Sequence, residues 1–195
     1  MISSCGLIRL FALDNVFSRT LLCMSYAEVS GFCVERFVYN NDRLSEIDTE
    51  KEKNILPDDE LALIGQFARK ELSRDEIYTF SLILCDNEID RDNEKFTVES
   101  LHKLAELFVG KTGIFDHNMK SKDQTARIYA AEVVTDETRK TADGEVYTYI
   151  KAKAYMVRND ENAALISEIE GGIKKEVSIS CSMNKSTCSI CGGDT

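Results

Sequence analysis

The sequence has no tryptophan, one proline and only two histidines among its 195 residues. A histidine-dependent reaction therefore has two candidates for its base, His102 and His117. Basic side chains are outnumbered, with 24 lysines and arginines against 34 aspartates and glutamates and a net charge of −10. Nucleic acids and anionic membrane surfaces attract clustered positive charge, so no nucleic acid and no membrane is expected as a partner.

Long apolar runs are also missing. Arg9, Asp14, Arg19 and Glu28 interrupt the N-terminal segment before it reaches the roughly 18 apolar residues that a membrane span needs. Neither a transmembrane helix nor a secretory signal is expected. The seven cysteines are odd in number and scattered, which fits a reducing cytoplasm better than a disulfide framework.

What is present is the composition of an ordinary folded domain, 43% hydrophobic and 30% charged. The chain divides by pattern into three parts. Residues 1–54 read as a poorly defined N-terminal arm, residues 55–182 as the main domain, and residues 183–195 as a tail that resembles part of a zinc knuckle.

The main domain shows alternating helix and strand patterns. Helical spacing of apolar residues, capping residues and glycine stops predict three helices, and β-branched and aromatic runs predict four strands. The fold class is therefore α+β, with a mainly antiparallel β-barrel-like core and two to three flanking helices. The predicted helices cover 57–72, a segment that follows the cap at Thr97, and 159–171; the strands cover 76–85, 125–134, 145–157 and 173–181.

The last predicted strand contains the candidate nucleophile, Ser178. Alternation along the strand places Val177 and Ile179 toward the core and Ser178 on the opposite, polar face. His117 follows a glycine-bounded turn, where catalytic groups are often displayed, whereas His102 lies off the apolar stripe of its helix. A serine and a histidine suffice for nucleophilic attack on a carbonyl. The plain alternatives are an ordinary strand serine and a surface histidine.

Residues 76–182 resemble the prohead (capsid maturation) serine proteases of tailed bacteriophages. Four pieces in the same order carry the resemblance. They are a strand followed by the acidic loop Asn87–Glu94, a helix leading into Gly113–His117, a pair of long strands, and the segment Glu168–Ile179, which ends in Val-Ser-Ile.

The resemblance implies a fold related to herpesvirus assembly proteases, a closed β-barrel with surrounding helices, and makes residues 55–182 a protease-like domain. It assigns the base to His117 and the nucleophile to Ser178. It further implies that the partners are phage major capsid and scaffold proteins, cleaved inside an assembling procapsid in the bacterial host cytoplasm. Catalysis of this kind requires no cofactor.

A carboxylate that orients the histidine is not evident in the sequence. In the family it lies on a strand after the serine, and here only Asp194 follows, close to the last residue. Glu176 shares the face of Ser178, and Asp116 adjoins His117. The expectation is that the chain stops short of its natural end, so that this acid and one strand are missing.

Cys188 and Cys191 form a single C-x-x-C pair followed by two glycines, which is half of a structural zinc site. Cys181 is a candidate third ligand, and two unliganded thiols are the plain alternative. Three functions stay open: a serine endopeptidase, a non-catalytic capsid assembly protein on the same fold, and a zinc-dependent binding module.

Overall fold

A computed structural model describes the backbone of residues 25–28, 33–39 and 47–48, and both backbone and side chains of 56–90, 92–115, 120–182 and 185–193. These residues form three α-helices, two short 3-10 helices and ten strands. The helices are α1 Asp58–Gly65, α2 Val98–Phe108 and α3 Asp160–Glu170. The strands are β1 Ser25–Glu28, β2 Cys33–Tyr39, β3 Ile47–Asp48, β4 Ile77–Asp86, β5 Glu94–Phe96, β6 Thr112–Phe115, β7 Ala126–Lys140, β8 Val146–Val157, β9 Val177–Ser182 and β10 Lys185–Cys188.

Seven strands form one sheet in the order β3-β4-β8-β7-β6-β2-β9, and β10-β1-β5 form a second, three-stranded sheet. Pairing is antiparallel except between β2 and β6 and between β1 and β5, which run parallel. The α+β class is confirmed.

The expectation of a closed barrel is wrong for the strands that the structure describes. The large sheet is open, with β3 and β9 at its two edges. β3 pairs with Ser81 and Leu82 and so occupies the edge of β4 that a closing strand would need. Cys181 of β9 nevertheless packs against the core cluster that contains Cys85 of β4. The sheet is therefore curved, although no backbone hydrogen bonds pair β9 with β3 or β4.

The large sheet is packed on both faces. On one face, even-numbered residues of β4 such as Phe80 and Leu82 meet the apolar sides of α2 and α3 in the main core. On the other face, Tyr129 and Tyr155 pack with Ile64 of α1 in a smaller cluster. Consecutive side chains of a strand alternate between faces, which explains how one strand serves both clusters.

The helix predicted over 57–72 ends much earlier, at Gly65. Glycine is unfavourable inside a helix, and the chain beyond it follows an irregular path that buries Leu72 and partly buries Phe67. The other two predicted helices are confirmed. Thr97 caps α2 by accepting a hydrogen bond from the Ser100 amide, and Asn159 caps α3 in the same way.

Three of the four predicted strands match β4, β7 and β8, and β7 continues six residues beyond the predicted end, to Lys140. The predicted turn at Asp143-Gly144 joins β7 to β8, with Gly144 at φ 91°. The fourth prediction, 173–181, begins too early. The amides of Ile173 and Lys174 donate to the Glu168 carbonyl at 2.8 and 3.2 Å, which holds this segment at the end of α3, and β9 begins at Val177.

In the described part of the chain, no helix has both the length and the apolar character to span a bilayer.

Candidate active site

Ser178 is the second residue of β9 and pairs with Val38 of β2. The two residues that flank Ser178 point toward the core as predicted, because Val177 is fully buried and Ile179 packs against the main core. Ser178 itself is only 7% exposed. The prediction that it lies on a polar face accessible to substrate is therefore wrong. Alternation puts two side chains on opposite faces of a strand, but it does not tell whether the second face is in contact with water.

β2 lies between β9, which contains the serine, and β6. It pairs antiparallel with β9 on one side and parallel with β6 on the other. Val38 lies opposite Ser178 and also opposite Ile114, so these two residues are in register across one intervening strand. Two strand spacings separate their backbones by about 10 Å.

His117 and Asp116 lie outside the described residues, so the prediction that His117 is the base stays a prediction. β6 ends at Phe115, two residues earlier in the sequence. His102, by contrast, lies on α2 with its side chain exposed to solvent, as predicted.

The identity of the carboxylate that would orient the histidine stays a prediction. Glu176 directly precedes β9 and is partly buried, with its Oε1 3.6 Å from the Lys175 ammonium. Asp194 lies outside the described residues.

Of the two predicted metal ligands, Cys188 is the last residue of β10 and Cys191 lies in the turn that follows it. Cys188 is buried and Cys191 is exposed, and neither is in a disulfide bond. Cys181 does not join them, because it lies on β9 and packs into the main core. Among the described residues no group of three or more histidine, cysteine, aspartate or glutamate side chains is placed to hold a metal ion.

The acidic loop Asn87–Glu94 has a structural role that its sequence did not reveal. Asn87 is fully buried, and its side chain bonds to β8, donating to the Val146 carbonyl at 2.9 Å and accepting from the Thr148 amide at 2.8 Å. Tyr147 donates to Asp86 at 2.8 Å, and burial raises the pKa of that carboxyl. These bonds attach the start of the loop to β8.

Lys95, just after this loop, is a buried cation that sequence reasoning missed. It lines a cavity of about 450 Å³ together with Asn87, Thr97 and Thr148. Its side chain is 1% exposed and its ammonium lies between two carboxylates of the β7–β8 turn. The sequence around it, Glu94-Lys95-Phe96, gave no signal that distinguishes a buried lysine from an exposed one.

Comparison of the chain with family models, curated proteins and solved structures finds no match.

Proposed function

We propose that the protein is a serine endopeptidase that processes phage capsid and scaffold precursors during prohead maturation, with Ser178 as nucleophile and His117 as general base. The substrate class follows from the sequence resemblance. The observation that carries the pairing of the two residues is the register Ile114–Val38–Ser178, which brings the chain just ahead of His117 to within two strands of the serine.

The chemistry proposed for this pair is acyl transfer. The Ser178 hydroxyl attacks the scissile carbonyl while the imidazole of His117 accepts its proton, and the imidazolium then protonates the leaving amine. Water hydrolyses the resulting ester by the same route and regenerates the serine. Neither step uses a cofactor.

The burial of Ser178 bears on this proposal, because a peptide carbonyl has to reach its hydroxyl. A serine that is 7% exposed requires a local rearrangement before a substrate binds. This is the specific observation that favours the second candidate function, a non-catalytic capsid assembly protein on the same fold.

Co-expression with a candidate capsid precursor tests the protease. Ser178→Ala is expected to abolish processing, because no other group replaces the nucleophile. Ser180→Ala is the matched control, since Ser180 lies on the same strand and the same side, and it should process normally. Normal processing by Ser178→Ala as well as by Ser180→Ala would refute Ser178 as the nucleophile.

The assembly function predicts a different outcome. If Ser178→Ala and the parent protein both leave the precursor intact while both co-purify with assembled shells, the non-catalytic function is the better account. Circular dichroism of each variant shows whether the fold is retained.

A further inference from the structure

No further inference is drawn: the strongest candidate, the cavity of about 450 Å³ beside the β7–β8 turn that Lys95, Lys140 and Thr97 line, carries none, because the Lys95 ammonium is already paired with Asp143 and Glu145 and nothing in the described part of the chain shows which ligand the cavity would take.

Discussion

Lys95 holds its charge in the protein interior by means of two carboxylates. Its Nζ atom lies 2.5 Å from Asp143 Oδ2 and 2.9 Å from Glu145 Oε1. Burial lowers the pKa of an amine, but here the hydrogen bonds that Lys95 donates to the two carboxylates outweigh burial and raise its pKa. The lysine therefore stays charged and ties β5 to the turn between β7 and β8.

Removing this cation is expected to destabilise the fold. Lys95→Ala leaves Asp143 without its cationic partner, and breaking a buried ion pair costs about 3 kcal/mol of the free energy of unfolding. Lys103→Ala, at an exposed position of α2, is expected to change it by less than about 0.5 kcal/mol. Urea unfolding of both variants makes the comparison, and equal small changes would contradict the role of Lys95.

The cysteines are expected to differ in reactivity, because only the thiolate is nucleophilic. Burial raises the pKa of Cys181 to about 11 and raises the pKa of Cys85 well above its ordinary value. At about pH 8, iodoacetamide should therefore modify the exposed Cys191 much faster than either buried thiol. Mass spectrometry of peptides follows the three rates, and equal rates in the folded protein would contradict the burial.

Single residues differed in how well the sequence predicted their surroundings. The exposure of His102 and the caps at Thr97 and Asn159 followed from local spacing. The burial of Ser178 and Lys95 did not, because it depends on which distant segments cover them.

At the scale of elements, the Glu60 carboxylate bonds α1 to the sheet, in addition to the packing of Ile64. Glu60 accepts hydrogen bonds from Tyr129 at 2.5 Å and from Lys153 at 2.6 Å. Burial opposes ionisation of Glu60, but the bonds from Lys153 and Tyr129 outweigh it and lower its pKa. Burial and the same bond raise the pKa of the Tyr129 hydroxyl.

Glu60→Gln is expected to loosen α1 and to lower the free energy of unfolding by about 1–2 kcal/mol, since hydrogen bonds to charged groups are stronger than neutral ones. Because the pKa of Glu60 is lower in the folded state, its stabilising effect is complete above the unfolded value of 4.5 and declines as pH falls through the folded pKa.

Thermal unfolding of both proteins from about pH 7 down to pH 3 measures this effect. The difference between the parent and Glu60→Gln should be constant at the upper end and shrink at the lower end. Glu71→Gln, at an exposed position, is the matched control. A difference that grows on acidification would contradict the ion pair.

The helices and strands that were predicted correctly are those with a clear pattern in the local sequence. β4, β7 and β8 are long and alternate, and α2 and α3 carry both a cap and an apolar stripe. The short strands β1, β2, β3, β5, β6 and β10 were missed. Five of these strands have only two to four residues, which is too few to show a period, and β2 lies in the segment interpreted as a poorly defined N-terminal arm. They form because long-range partners complete their hydrogen bonds.

At the scale of the whole molecule, strand order places β9, which contains Ser178, one strand away from β6, which ends at Phe115. β2, β6 and β9 come from three distant parts of the chain and lie side by side at one edge of the large sheet. Sequence reasoning identified Ser178 and His117 as a pair by resemblance but did not predict this arrangement. The apolar pattern of a strand indicates which of its faces is buried, but it does not tell which distant strand becomes its neighbour.

In the proposed mechanism, Ser178 is a nucleophile that His117 activates. Labelling with a fluorophosphonate, read by mass spectrometry of the modified peptide, tests it most directly. We expect an adduct on Ser178 in the parent protein, no adduct in His117→Ala, and an unchanged adduct in His102→Ala, which removes the other histidine. No adduct at Ser178 in the parent protein, or equal labelling of both histidine variants, would contradict the account.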